Sequence, residues 1–312
     1  MRMQARQGAA IKEIMIDAIE QLFERQIRAW PRLANGVQGL AQARTRPVRI
    51  DWFDVFIRHI PHRVASTTAA VDQESIAKRP CFLCTANLDP EEEGLECGAG
   101  FTMYCNPFPI VERHLTIVYR EHGVQQIARQ FGNMLDIAAS LPGYFVVYNG
   151  PECGASAPDH MHFQAGSRKL FPIQNDLQKA NGTVVPNYAR NVFVFRGRSR
   201  SGLIERMDRA IELLANATGK RPEPLINIAL CFENGEWVAC LFPRGKHRPD
   251  VFHRGELTVS PASIDLCGIF VVPFEKDFEK ITGDNVASIF REVTLPDDLF
   301  QQVAEKLETE PW

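Results

Sequence analysis

The segment from Tyr144 to Ala165 restricts how this chain can fold more than any other. It starts with an apolar run, Tyr144-Phe-Val-Val-Tyr148. It passes through Asn149-Gly-Pro-Glu-Cys-Gly-Ala-Ser-Ala-Pro158 and ends in Asp159-His-Met-His-Phe-Gln-Ala165. The pattern predicts strand, small-residue loop, strand. Side chains alternate faces along a strand, so His160, His162 and Gln164 are expected to share one face. Gly150, Gly154, Ala155 and Ser156 let backbone N–H groups approach an anion closely. An imidazole nucleophile beside such a loop suits transfer of a nucleotidyl group through a covalent histidine intermediate. Cys153 has no base paired with it in the sequence and reads as a packing or loop residue.

The flanking sequence supplies an α+β pattern. Ile11, Ile14, Met15, Ala18, Ile19, Leu22 and Phe23 recur at helical spacing, which predicts a helix over 10–30. Residues to about 75 mix Pro, Gly and Arg and read as an extension wrapped on the core, so 1–77 is taken as an N-terminal helical extension. Strands are expected at Phe101–Cys105 and His114–Tyr119 around the turn Asn106-Pro-Phe-Pro109. A helix is expected over Val124–Ser140, ended by Pro142-Gly143. A second half follows Pro186. Its expected elements are a strand at Asn191–Phe195, a helix over Ser201–Asn216 and a hairpin of Leu225–Phe232 with Trp237–Phe242. A strand at Ile269–Val272 and a helix over Asp298–Leu307 complete it. Asn234-Gly235 marks the hairpin turn.

Composition narrows the class. A net charge of −3 over 312 residues argues against a broad nucleic-acid surface. No run of about 18 apolar residues occurs, so no membrane span is expected. The first residues lack the apolar core of a signal peptide. Eight cysteines without an export signal point to a reduced, cytoplasmic protein.

Cys81-Phe-Leu-Cys84 is a C-x-x-C pair, which can be redox-active, zinc-binding or accidental. Two thiolates need two further ligands for tetrahedral zinc, and His114 and His160 are on offer.

The strand-loop-strand with His160-x-His162-x-Gln164 resembles the active-site strand of the histidine-triad (HIT) superfamily. Within it, the chain resembles the branch of galactose-1-phosphate uridylyltransferase, diadenosine tetraphosphate phosphorylase and GDP-L-galactose phosphorylase. Hydrolases of the superfamily usually carry a third His where this chain has Gln164; transferases and phosphorylases carry Gln. The resemblance covers roughly Lys78 to Val272. It implies a HIT-like fold of two halves, 78–185 catalytic and 186–312 second, with antiparallel sheets and packed helices. It also implies that His162 attacks an α-phosphate while Gln164 donates its amide to a non-bridging oxygen. Asn149 and Ser156 would hold phosphates on the Gly154 loop, with Asn106 and Phe108 in the base and ribose pocket.

Arg244 and Lys246, in Phe242-Pro-Arg-Gly-Lys-His247, correspond to a basic segment that the phosphorylases place near the phosphates. Ser260-Pro-Ala-Ser-Ile-Asp-Leu-Cys-Gly268 resembles another phosphorylase segment. In bacterial uridylyltransferases a C-x-x-C pair precedes a distant His and then the first His of H-x-H. Carried over, Cys81, Cys84, His114 and His160 would hold a structural zinc.

The expected activity is nucleotidyl transfer or phosphorolysis. The donor would be a nucleoside diphosphate sugar or dinucleoside polyphosphate, and the acceptor orthophosphate or a sugar 1-phosphate. A HIT-type hydrolase and a non-catalytic, zinc-stabilised nucleotide-binding protein are the alternatives. Related enzymes are often dimers, so a homodimer is compatible, although no residue marks an interface.

Overall fold

The structure is a computed structural model describing residues 2–69 and 72–309. The side chains of Arg2–Lys12 and Gln73 are outside it, so the place of Ile11 in the first helical stripe is not described.

Eight strands form one antiparallel sheet that crosses both halves of the chain. They are β3 (Gly94–Gly98), β4 (Phe101–Cys105), β5 (Leu115–Tyr119), β6 (Tyr144–Asn149), β7 (His162–Ser167), β8 (Phe193–Gly197), β9 (Ile226–Glu233) and β10 (Glu236–Pro243). Their order is β3-β4-β5-β7-β6-β9-β10-β8. The halves therefore meet inside a sheet, through the β6–β9 pairing that sets Asn149 opposite Asn227. A smaller sheet joins β1 (Arg44–Ile50), β2 (Phe53–His59) and β11 (Ile269–Val272), with β11 parallel to β2.

Both faces of the large sheet are buried, which explains why β6 reads as a continuous apolar run. On one face Val146, Tyr148, Phe163 and Leu230 pack with the helices Arg2–Ala29, Phe131–Ser140, Arg200–Thr218 and Asp297–Thr309. On the other, Phe145, Val147, Ala229 and Cys240 pack with the small sheet and the helix Gly283–Val293. Phe163 and Ala165 of β7 face the first core. By alternation His162 and Gln164 face the second.

Local chemistry sets the element ends. The Ser199 hydroxyl caps the helix Arg200–Thr218 by accepting from Gly202 N–H, and Gly219 ends it at φ 68°. Asn234 and Gly235 both take positive φ in the β9–β10 turn, as a two-residue hairpin requires.

Two expectations need correction. The N-terminal region is not only helical: β1 and β2 form a hairpin in which Phe53, Val55 and Ile57 alternate inward. The helix expected from Val124 begins at Phe131. Residues 124–130 are drawn out of helical geometry because Gln125 is committed to the strands: its N–H donates to the Pro158 carbonyl and its amide bonds β6 and β7.

Candidate active site and metal cluster

A cavity of about 500 Å3 opens on the face of β7 that carries His162 and Gln164. Thr116 and Val118, cross-strand partners of Gln164 and His162 on β5, line it with them. Gly154, Ala155 and Ser156 from the loop, Asn149 from β6, and Asn106 and Phe108 from the β4–β5 turn also line it.

His162 is fixed by its own backbone neighbourhood. Its Nδ1 lies 2.8 Å from the His160 carbonyl. A carbonyl only accepts, so Nδ1 carries the proton and Nε2 keeps a lone pair. Nε2 has no partner among the described residues. Burial disfavours the charged ring and lowers its pKa to about 4. The backbone of His162 is clamped by Gln125. Oε1 of Gln125 accepts from His162 N–H at 2.8 Å, and its Nε2 donates to the carbonyls of His162 and Asn149, both at 2.9 Å.

Two amides are oriented by unambiguous donors. Ile110 N–H donates to His114 Nδ1, so the His114 proton sits on Nε2, which donates to Gln164 Oε1 at 2.9 Å. That turns the Gln164 NH2 away from His114. Asn149 Oδ1 accepts from Ser263 N–H and from Asn227 Nδ2, both at 2.9 Å, which frees the Asn149 NH2. Asn106 makes a turn-closing bond from Phe108 N–H to its Oδ1 and donates to Thr116. Gly154 has φ 97°, and a Cβ there would sit 2.7 Å from that of Ala262, so the loop can pass this point only as glycine. Cys153 is fully buried and its thiol is pushed up to about 12, which leaves it inert as a nucleophile.

Arg244 and Lys246 do not line the cavity. Arg244 is buried, and its five N–H groups go to Val293 O, Asn227 Oδ1, Pro261 O, Lys246 O and His247 O. It is a pin for the chain around it. Lys246 is ion-paired with Asp250 and Glu292 at 2.7 and 2.6 Å. The next two residues, His247 and Arg248, face the cavity instead.

The metal ligand set also differs from the expectation. Cys81, Cys84, His122 and His160 bring their ligand atoms within 4.8 Å of one another. His160 Nδ1 is 3.4 Å from Cys81 Sγ and 3.5 Å from Cys84 Sγ, and His122 Nδ1 is 3.2 Å from Cys84 Sγ. Tetrahedral zinc with Cys and His ligands sets such atoms roughly 3.3–3.8 Å apart, so the donors fit. His160 Nε2 donates to the Tyr119 carbonyl, which keeps Nδ1 as the ligating atom. His114 is excluded by its bonds to Ile110 and Gln164. The β5–β7 register sets Val118 opposite His162, so the chain after β5, not before it, lies beside His160.

Gln125, His122 and Arg63, a cavity residue from the N-terminal region, were not singled out in the sequence. Only His122, a second histidine near the end of a predicted strand, left a readable signal.

Known proteins resemble the chain in both halves. Residues 22–167 match a family model described as a domain of unknown function (DUF4922), and residues 173–309 match one described as GDPGP1-like, C-terminal domain. A galactose-1-phosphate uridylyltransferase of Ligilactobacillus salivarius is 25% identical over 146 residues. That is 40% of this chain and 30% of the relative, so the match spans under a third of the relative's length. The crystal structure of yeast Ap4A phosphorylase Apa2 superposes with a TM-score of 0.56 at 20% identity, covering 85% of this chain and 97% of that one. Its complex with Ap4A gives the same TM-score at 19% identity, covering 86% and 97%. The chain has a HIT-like α+β fold, and the GDPGP1-like domain match, the uridylyltransferase relative and the Ap4A phosphorylase structures all point to the HIT branch of the galactose-1-phosphate uridylyltransferases and Ap4A phosphorylases.

Proposed function

We propose that the protein is a nucleotidyltransferase or phosphorylase that works by two displacements at His162. One observation carries this reading. The His162 Nε2 lone pair and the free NH2 groups of Gln164 and Asn149 belong to residues lining one cavity, and each is oriented by a hydrogen bond on its other side. The nucleophile and the donors for phosphate oxygens are thus held before substrate arrives, which lowers the reorganisation needed in the transition state.

In the first step Nε2 attacks the α-phosphorus of a nucleoside diphosphate sugar or dinucleoside polyphosphate. The bond to the bridging oxygen breaks and its electron pair leaves with the departing phosphate. The His162 proton stays on Nδ1, where the His160 carbonyl stabilises the cationic ring. Gln164 and Asn149 donate to the non-bridging oxygens, and the 154–156 loop offers backbone N–H groups. In the second step orthophosphate or a sugar 1-phosphate attacks the same phosphorus and Nε2 departs. Gln164 has no acidic proton to exchange, so it does not help water replace that acceptor. Zinc on Cys81, Cys84, His122 and His160 would be a closed, structural site that holds the His160 carbonyl against His162.

The test is product analysis with UDP-, GDP- and ADP-sugars and diadenosine tetraphosphate, with and without orthophosphate or a sugar 1-phosphate. Wild type should turn over only with acceptor and show a nucleoside monophosphate adduct on His162 by mass spectrometry. His162→Gly should do neither. Equal turnover without acceptor would make the protein a hydrolase and sink the proposal.

A further inference from the structure

Glu223 lies in the link between the helix Arg200–Thr218 and β9, in the half of the chain without His162. Both of its oxygens are spent on the other half. Oε2 accepts Ile127 N–H at 2.7 Å, and Oε1 accepts the Tyr148 hydroxyl at 2.6 Å. Ile127 belongs to the non-helical segment 124–130, two residues after Gln125, which clamps the His162 backbone. Tyr148 lies in β6 directly before Asn149. Gly150, where the loop starts, packs on the same spot. Its N–H donates to the Ile226 carbonyl at 3.1 Å, and a Cβ there would lie 2.7 Å from that oxygen and 3.5 Å from Glu223 Oε1. One carboxyl therefore holds the clamp segment and the end of β6, beside the entry to the loop.

Burial of this carboxyl raises its pKa to about 7, with the bonds from Tyr148 and Ile127 pulling the other way. The titratable side chains set against it are Tyr148 on β6 and Cys153 in the loop. Burial pushes both up, so both are neutral while the carboxyl titrates. The adjoining cations are turned elsewhere, Lys220 to Glu152 at 3.8 Å and Arg221 to the Asn216 side chain. A carboxylate accepts both bonds with its full charge. A carboxylic acid keeps a proton of its own, so one of the two bonds weakens or turns round.

We infer that Glu223 is a positioning residue of the transfer site, which seats the Gln125 clamp and the Asn149 end of β6 and so aims His162 Nε2. This rests on the transfer reading above. Glu223 lines no part of the cavity, so it acts only through Gln125 and Asn149. Its ionised form is the seating form, so His162 should work fastest above neutrality. Stability runs the other way. The folded pKa lies above the ordinary carboxyl value of 4.5, so between the two the folded chain binds a proton that the unfolded chain has lost. The contribution of this group to stability therefore falls as pH rises through that window. The charge that aims the site is costly to the fold.

Hydrogen exchange followed by mass spectrometry tests the seat without any substrate. Glu223→Gln keeps the shape and removes the charge. At pH 8 it should speed exchange at the Ile127 and His162 N–H groups by roughly 5- to 10-fold, while urea unfolding shows it no less stable than wild type. Rapid-quench labelling of His162 by diadenosine tetraphosphate or a nucleoside diphosphate sugar tests the aim. The wild-type rate should rise about 10-fold from pH 6 to 8, as one group titrating near 7 requires. In Glu223→Gln the rate should be low and flat over that range, with the half-saturating donor concentration within about threefold. Glu92, whose pKa burial also raises to about 7, is present in both proteins. Tyr148→Phe removes a bond that holds the Glu223 pKa down, so its rate limb should move to higher pH. Unchanged exchange at Ile127 and His162, or the same limb in wild type and Glu223→Gln, overturns the positioning role. The two readings fail separately. An adduct with unchanged exchange leaves transfer and removes Glu223, whereas faster exchange without an adduct keeps the seat and removes transfer.

Discussion

Nε2 of His114 donates to Oε1 of Gln164 across 2.9 Å, and this bond decides which way the Gln164 amide faces. Without it either amide orientation would satisfy the pocket, and one of them would turn a lone pair toward phosphate oxygens. His114→Phe should therefore lower kcat by roughly 10- to 100-fold with KM within about threefold. It also strips Ile110 N–H of its acceptor, at a cost of about 1–3 kcal/mol in denaturant unfolding. A change in KM alone would remove His114 from the positioning of Gln164.

Acid should weaken the fold through the same residue. Burial, followed by the Arg63 charge, lowers the His114 pKa to about 3, below the ordinary value of about 6.5. Between those values the unfolded chain binds a proton that the folded chain refuses, so stability rises with pH there. The contribution is complete above about pH 6.5 and is lost as pH falls toward 3. The unfolding free energy of wild type, from urea titrations, should drop between pH 6.5 and 4.5 by about 2–3 kcal/mol more than that of His114→Phe. Parallel curves would count against this assignment.

The metal cluster separates two histidines that look alike in the sequence. His122→Ala should reduce bound zinc, measured by elemental analysis, and lower the thermal midpoint, whereas His114→Ala should keep the metal. Chelation should lower the midpoint of wild type by more than that of His122→Ala. Retention of one zinc per chain by His122→Ala would refute the Cys81, Cys84, His122 and His160 set.

Gln125 clamps three buried backbone groups at the start of β7 and the end of β6. Gln125→Leu leaves all three without partners and should cost about 3 kcal/mol or more in urea unfolding. Gln125→Glu can still accept from His162 N–H but sets a buried carboxyl against the two carbonyls, so it too should cost about 3 kcal/mol or more. Equal stability of all three proteins would show that the clamp is dispensable.

Arg244 and Lys246 should behave oppositely. Arg244→Met breaks five hydrogen bonds, three of them buried, and should cost about 3 kcal/mol or more. Lys246→Ala loses surface ion pairs and should cost under about 1 kcal/mol, with KM for the donor unchanged. A large KM effect of Lys246→Ala would return it to the site.

The strand that carries His162 and Gln164 was legible because its two-residue period survives folding: the two residues do share a face. His160 does not share it, since β7 begins only at His162 and His160 lies in the turn before it. The choice of metal ligand failed for a related reason. His114 and His122 flank β5, and only the antiparallel register against β7 tells which end of the strand meets His160. The Asn234-Gly235 hairpin was readable from two residues. The β1–β2 hairpin was not, because its turn at Asp51-Trp52 carries no such pair and its strands are interrupted by Arg and Pro. Arg63 left no signal, since its segment is tied beside the cavity by Arg248, 185 positions away, reaching the carbonyls of Thr67 and Ala69.

The β6–β9 pairing has a consequence for how this chain can change over time. Asn149 takes its orientation from Asn227 and Ser263, so the half without His162 acts as the jig in which the other half is set. A substitution at Asn227 reaches the cavity residue Asn149 in a single hydrogen bond.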